Sequence, residues 1–278
     1  MDRSTPPAAH AANPGADGAP PLLSLRGIDK SFGAVQVLHG VDLDVRAGEV
    51  TALVGDNGAG KSTLVKCVAG IYTTDAGEYQ FEGRPVHVSG PKDTAALGIE
   101  VVYQDLALCD NLDVVQNMFL GREKKRGGVL DETAMEELAR QTLASLSVRT
   151  VRSVRQLVAS LSGGQRQTVA IAKAVLWNSR VVLLDEPTAA LGVAQTRQVL
   201  DLVRRLADNG LGVVLISHNL NDVFEVADSI VALYLGRSAA TVRTRDVTSS
   251  QVVELITAGR SGDLGLVPAA DPTAAAPA

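Results

Sequence analysis

A glycine-rich segment between an apolar run and an amphipathic stretch constrains this chain more than any other feature. It follows the apolar residues 50–54, and its members are Gly55, Asp56, Asn57, Gly58, Ala59, Gly60, Lys61, Ser62 and Thr63. Glycines at these positions permit turns that a Cβ would obstruct, so successive N–H groups can point at phosphate oxygens. The helix predicted from Lys61 adds its positive dipole end. The pattern is that of a P-loop and predicts a nucleoside triphosphate site.

Four polar side chains are expected to bind the phosphates, hold Mg²⁺ or activate water. Lys61 supplies a positive charge for the β- and γ-phosphates, and the Ser62 hydroxyl is a hard ligand for Mg²⁺. An apolar run ending at Leu184 is followed by two acids. We expect Asp185 to complete the Mg²⁺ shell through water, and Glu186 to orient the attacking water and accept its proton. The alternative is a strand that ends in solvated acids, and the P-loop argues against it.

A second helix start suited to phosphate lies at residues 161–165, Leu-Ser-Gly-Gly-Gln. Ser162 suits an N-cap, and Gly163 and Gly164 leave the N–H groups of the first turn uncovered, before Gln165. The alternative is an ordinary capped helix. This alternative is disfavoured because a chain with a single P-loop has two helix starts that are suited to bind phosphate.

Composition narrows the class of protein. Among 278 residues, 46% are apolar, yet no uninterrupted apolar run approaches the ~18 residues needed to cross a bilayer. The net charge is −5 and no basic cluster exceeds residues 124–126, which argues against nucleic acid as the main partner. Cys67 and Cys109 are isolated, so we expect two core residues in a reducing cytoplasm rather than a disulfide or metal site.

The order of apolar runs predicts an α/β fold. Helical spacing after Asp131 indicates a helical insert, and alternating strands and helices on either side of it imply a largely parallel, doubly wound sheet. Residues 1–21 and 261–278 are predicted to be a disordered leader and tail. The strands are expected near residues 22–28, 38–45, 50–54, 77–83, 86–88, 99–103, 181–185, 212–217 and 230–234, where the sheet would end.

The order of these motifs resembles the nucleotide-binding subunit of ATP-binding-cassette (ABC) transporters. It comprises the P-loop, Gln104, the 161–165 pentapeptide, the acids after Leu184 and His218, and the match covers roughly residues 22–259. The resemblance implies one ABC ATPase domain, residues 22–260. Its fold would be a P-loop NTPase core with a mixed or parallel sheet, an N-terminal antiparallel part and a helical subdomain at about 106–165.

The resemblance also implies how ATP and Mg²⁺ are held. In that family two domains pair head to tail, and each ATP lies between one P-loop and the partner's pentapeptide, here Ser162 to Gln165. Phe32 corresponds to the aromatic that stacks on adenine, with a core phenylalanine as the alternative. Gln104 corresponds to the glutamine that contacts Mg²⁺ and water and responds to the membrane subunit. His218 corresponds to the histidine that binds the γ-phosphate, with a structural histidine as the alternative.

One segment departs from the family pattern. After Pro187 the family usually has Ser-Ala-Leu-Asp, whereas this chain has Ala189-Ala190-Leu191-Gly192. The serine and aspartate that commonly contact the partner's P-loop are therefore absent, which puts side-chain coupling between the two ATP sites in doubt.

Two further segments, residues 97–108 and 117–123, are similar to importers of simple sugars of the ribose, xylose and fructose type. The resemblance implies a homodimer of single cassettes, bound to a polytopic permease at the cytoplasmic face of the membrane and served by an extracytoplasmic sugar-binding protein. The permease is expected to dock on residues 105–123. The alternatives are import of a non-sugar solute, a non-transport cassette acting on DNA or ribosomes, and a regulatory cassette that binds ATP without hydrolysis.

Overall fold

The computed structural model describes residues 20–148, 151 and 153–264. The predicted leader and tail lie outside these residues, except for positions 20, 21 and 261–264. The described strands are β1 (Leu23–Phe32), β2 (Val35–Val45), β3 (Val50–Gly55), β4 (Ala76–Phe81), β5 (Arg84–Pro85), β6 (Ile99–Val102), β7 (Lys125–Arg126), β8 (Val129–Leu130), β9 (Val181–Asp185), β10 (Gly212–Ile216), β11 (Ser229–Tyr234) and β12 (Arg237–Arg243). The described helices are α1 (Lys61–Val68), α2 (Pro91–Ala96), α3 (Val114–Phe119), α4 (Glu132–Ser145), α5 (Gly163–Val175), α6 (Val193–Asp208), α7 (Leu220–Val226) and α8 (Ser249–Ala258).

The central sheet has the strand order β12-β11-β3-β10-β9-β6. Neighbouring strands from β11 to β6 are parallel, and β12 pairs antiparallel with β11 at the edge. The β3, β9 and β10 strands are apolar along nearly their whole length because helices or the second sheet cover both faces. Their carboxyl ends, Gly55, Asp185 and Ile216, therefore meet at one edge of the sheet, where the expected site residues lie.

A second sheet, with the order β2-β1-β4-β5, is antiparallel throughout. It packs through Leu23, Leu25 and Val41 against the α1 side of the central sheet in one apolar cluster. The predicted fold class, an α/β core with an N-terminal antiparallel part, is thereby confirmed.

The segment between β6 and β9 contains α3, α4 and α5, with the short β7–β8 hairpin between α3 and α4. Asp131 accepts a hydrogen bond from the Ala134 N–H at 3.0 Å and so begins α4 as predicted. Asp113 caps α3 in the same way through the Gln116 N–H at 2.7 Å. The two helices contribute Met118, Phe119 and Met135 to one shared core.

Two sequence expectations about the sheets were wrong. Residues 86–88 form no strand: β5 ends at Pro85, and after it the Val86 N–H still donates to the Tyr79 carbonyl at 2.8 Å before the pairing stops. The central sheet also does not end at Tyr234. The chain reverses at Leu235 and Gly236, with φ of 45° and 77°, and adds β12, after which α8 covers the other side of β3. Within the described part of the chain, no helix is long and apolar enough to cross a bilayer.

Candidate nucleotide-binding and catalytic site

The P-loop joins β3 to α1, and its tight turn requires glycine at both ends. At Gly55, with φ of 157°, a Cβ would lie 2.6 Å from the Leu233 carbonyl oxygen. At Gly60, with φ of 99°, a Cβ would lie 2.8 Å from the Leu38 side chain. Because Gly60 precedes α1 without a capping side chain, the first N–H groups of the helix remain uncovered and can bind an anion.

The Lys61 ammonium lies across this loop. Its Nζ atom donates to the carbonyl oxygens of Gly55 at 2.6 Å and Asp56 at 3.0 Å. Burial lowers the pKa of Lys61, and the nearby charges of Glu186, Asp56 and Asp185 oppose that shift. A partly desolvated cation whose hydrogen bonds go to neutral carbonyls is well placed to bind a polyanion.

A cavity of about 310 Å³ opens above the P-loop. It brings together most of the predicted phosphate and metal residues. The residues lining it are Val37, Asp56, Asn57, Gly58, Gly60, Lys61, Ser62, Thr63, Gln104, Asp185, Glu186 and Ile216. Phe32, His218 and residues 162–165 are not part of this lining.

The two acids at the end of β9 differ in environment. Burial, and secondarily the charge of Glu186, raise the pKa of Asp185, while Lys61 and Lys66 oppose the shift. Glu186 has φ of 51° and its N–H donates to the Ile216 carbonyl at 3.0 Å, which turns its side chain away from the strand path. Its Oε2 atom lies 2.6 Å from Nδ1 of His218.

The donor set at the cavity fits Mg²⁺, because Ser62, Gln104 and Asp185 all offer hard oxygen atoms to the same space. Across residues 20–148, 151 and 153–264, no group of three or more His, Cys, Asp or Glu side chains could hold a metal alone. A magnesium ion here would therefore need oxygens from phosphate and water as well.

The pentapeptide turn is built as expected, but none of its residues, 161–165, lines this cavity. Ser162 begins α5 by accepting from the Gln165 N–H at 3.4 Å, and Gln165 Oε1 accepts from the Ser162 N–H at 2.8 Å. Ser162 and Gly163 are exposed. Gly164 is buried, and a Cβ there would lie 3.1 Å from the Gln195 side chain on α6.

Phe32 stands at the end of β1 with 43% of its surface exposed, which is unlike a core phenylalanine. Its ring packs edge-on against Tyr72 with the ring centres 5.0 Å apart. The Lys30 Nζ atom lies 5.5 Å from the Phe32 ring centre. The structure thus leaves the adenine-stacking role of Phe32 a prediction.

Sequence reasoning missed several contributors to the site. Val37 lines the cavity from β2, and no motif marked it. Thr188, Asn219 and Asp222 form a side-chain network beside Glu186 and His218, with hydrogen bonds of 2.6 and 2.9 Å. Thr188 and Asp222 are 34 positions apart, so spacing carries no signal for their contact.

Comparison with known proteins decides the family. The family described as "ABC transporter" matches residues 38–189, more than half of the chain. This chain belongs to the ABC transporter family. As a member it is an ATP-binding ATPase domain, and the family predicted from the motifs is confirmed.

Several ABC import proteins are similar to it over nearly the whole domain. The chain is 45% identical to the fructose import ATP-binding protein of Rhizobium meliloti over 247 residues, which cover 86% of this chain and 95% of that protein. It is 43% identical to the xylose/arabinose import ATP-binding protein of Sulfolobus acidocaldarius, with 88% and 97% covered. It is 41% identical to the ribose import ATP-binding protein of Yersinia pestis, covering 88% of this chain but 48% of that longer protein.

Solved structures agree on the ABC fold. A crystal structure of an ATP-binding cassette of an ABC transporter has a TM-score of 0.75 and 26% identity, covering 84% of this chain and 96% of that one. A nucleotide-free cassette from an ABC transporter gives 0.74 at 24% identity, covering 86% and 95%, and supports the fold alone.

Proposed function

We propose that this chain hydrolyses ATP to power the import of a simple sugar, as the nucleotide-binding subunit of an ABC importer. The observation that carries the hydrolytic part is the convergence on one cavity of Lys61, Ser62, Gln104, Asp185 and Glu186, with His218 hydrogen-bonded to Glu186. A cassette that only bound nucleotide would not need this carboxylate and histidine beside the phosphate cradle.

Each residue then has a distinct task. Lys61 and the N–H groups of the P-loop bind the β- and γ-phosphates of ATP. Ser62, Gln104 and Asp185 would hold Mg²⁺, which neutralises charge on the phosphates when bound. Glu186 orients the attacking water and accepts its proton, and its contact with Nδ1 leaves Nε2 of His218 as the ring atom directed to the γ-phosphate.

The second proposed partner of the nucleotide is another copy of this chain. The exposed turn at Ser162 and Gly163 lies at the start of a 13-residue helix, whose positive dipole end favours an anion, and it does not line the chain's own cavity. Head-to-tail pairing brings this turn onto the γ-phosphate held by the other copy. Binding of ATP closes the dimer, and hydrolysis reopens it.

A different cavity is the proposed dock for the permease. Its volume is about 240 Å³, and Leu106, Leu120 and Trp177 supply apolar walls. Glu100 and Arg122 form an ion pair of 2.7 Å at its edge, and burial lowers the pKa of Lys173 in its lining. Tyr103 and Asp105, the two sequence neighbours of Gln104, line this cavity, so a segment seated there can move that glutamine. The complex would lie at the cytoplasmic face of the membrane.

The proposed cargo rests on the relatives, whose names specify import of fructose, xylose or arabinose, and ribose. A simple sugar delivered by an extracytoplasmic binding protein is the class that these names share. The alternatives of a non-sugar solute or of DNA and ribosomes are favoured by no residue of the site.

Reconstitution tests the proposal. The chain, its cognate permease and the cognate binding protein are placed in proteoliposomes, and phosphate release is followed with fructose, xylose, arabinose and ribose in turn. We expect one sugar to stimulate hydrolysis several-fold, with Lys61→Ala as the inactive control. Stimulation by none of them, with basal ATPase present, would contradict sugar import, and absence of Lys61-dependent hydrolysis would contradict the ATPase assignment.

A further inference from the structure

Asp222, on α7, is a buried acid that the mechanism above does not use. Only 5% of its surface is exposed. Its Oδ2 atom accepts a hydrogen bond from the Thr188 hydroxyl at 2.6 Å, and its Oδ1 atom accepts one from the Asn219 amide at 2.9 Å. Both carboxylate oxygens are therefore engaged, as a buried charge requires.

These contacts join the two segments that carry the catalytic pair. Thr188 lies two residues after Glu186, and Asn219 directly follows His218. Asn219 is itself fixed, since its N–H donates to the Ser217 hydroxyl at 3.0 Å and its side chain accepts from the Asn221 N–H at 3.1 Å. The carboxylate thus connects two segments whose tips meet at the 2.6 Å contact between Glu186 and His218.

Glu186 has a positive φ, and a connection of this kind can stabilise that backbone conformation. A non-glycine residue with φ of 51° has a strained backbone that persists only where surrounding contacts hold it. On one side Glu186 is held by its N–H bond to Ile216, at 3.0 Å. On the other side, Thr188 is the nearest following residue with a buried side-chain bond.

We propose that Asp222 and Thr188 are positioning residues that hold Glu186 against His218. Neither residue lines the cavity above the P-loop, and both act through the geometry of the catalytic pair. The expected effect on kcat rests on the proposed ATPase function. The expected connection between the two segments rests on the structure alone.

The kinetic test compares Thr188→Val, which removes the hydroxyl and keeps the shape, with Thr188→Ser, which keeps the hydroxyl. We expect Thr188→Val to lower kcat about tenfold with KM for ATP within about twofold, and Thr188→Ser to restore most of the rate. In a His218→Ala background, single-turnover hydrolysis should change less than about twofold on adding Thr188→Val.

A matched control is Thr94→Val on α2. Thr94 is also buried and donates through its hydroxyl, to the carbonyls of Ala69 at 3.1 Å and Pro91 at 3.0 Å, far along the chain from the catalytic pair. It should leave kcat unchanged. Equal losses of kcat in Thr94→Val and Thr188→Val would overturn the positioning role. So would an effect of Thr188→Val on the hydrolysis rate that is equally large in the wild-type and His218→Ala backgrounds.

Hydrogen exchange provides a readout that does not depend on ATPase activity. Peptides covering residues 186–192 and 217–222 should lose protection together in Thr188→Val and in Asp222→Asn, and keep it in Thr94→Val. Unchanged exchange in both segments would overturn the proposal even in an active enzyme. Joint loss of protection in a protein without ATPase activity would support the connection while the proposed function fails.

Discussion

His218 Nδ1 lies 2.6 Å from Glu186 Oε2, so the histidine covers the carboxylate that is expected to activate water. The Glu186 side chain is 15% exposed and that of His218 is 74% exposed. The base is therefore shielded from bulk solvent while its partner can still contact a ligand.

Replacement of Glu186 by glutamine is expected to separate ATP binding from hydrolysis. The amide keeps the shape and cannot accept a proton, so kcat should fall roughly 100-fold or more, and a dimer should accumulate with MgATP. Size-exclusion chromatography and phosphate release measure the two effects. Glu225→Gln, an exposed glutamate on α7, is the control. A monomer with normal turnover would refute the assignment of the base.

Asp185→Asn should stabilise the nucleotide-free protein. The pKa of Asp185 is raised above its ordinary value of 3.8, so its ionised form opposes folding. That penalty is absent well below the ordinary value, grows as pH rises from it toward the folded-state pKa, and is complete above the folded-state pKa. Because the side chain is only half-buried, we expect a Tm increase on the order of 1–2 °C at pH 7, shrinking toward pH 4. Thermal melts across pH test this. The variant should also lose the additional stabilisation that Mg²⁺ gives with ATP, and a Tm decrease at pH 7 without nucleotide would contradict the account.

Phe32→Ala should weaken ATP binding about tenfold, near 1.4 kcal/mol, through loss of base stacking, with kcat at saturation unchanged. Titration with a fluorescent ATP analogue measures the affinity. Tyr72→Leu removes the ring that packs on Phe32 and serves as the control, since it should cost stability with little effect on affinity. Equal losses of affinity in both variants would show that Phe32 acts through packing.

Gly192→Asp restores the acid that is usual in the family. Gly192 precedes α6 in an extended conformation with open space around its Cβ position, so aspartate can cap the helix without strain. We expect a Tm increase of about 1 °C and a steeper dependence of hydrolysis on ATP concentration than in the wild type. If the Hill coefficient for ATP hydrolysis equals that of the wild type, an aspartate at position 192 does not couple the two ATP sites of this protein.

The parts predicted from the sequence are those with local causes. The P-loop turn, the Ser162 and Asp131 caps and the apolar strands each depend on a few adjacent residues, and their elements were predicted correctly to within a few positions. The convergence of Lys61 with Asp185 followed from parallel strands that end at the same edge.

The parts that were missed have non-local causes. The edge strand β12 is half-buried and lacks a long apolar run. Its strand conformation is therefore determined by its pairing with β11 and not by its composition. The backbone strain at Glu186 and the bond between Thr188 and Asp222 arise only when β9 and α7 are packed together. Neither could be read from residue spacing.

The central claim is that each ATP is bound by two copies of this chain, one through Lys61 and the other through the Ser162 turn. Two differently tagged variants, Lys61→Ala and Gly164→Asp, both carrying Glu186→Gln, are purified separately and as mixed dimers, and the retained ATP is counted after gel filtration. The mixed dimer contains one site with an intact P-loop and an intact turn from opposite copies, so it should retain about one ATP while each variant alone retains none. Mixed dimers as empty as the separate folded variants would contradict the account.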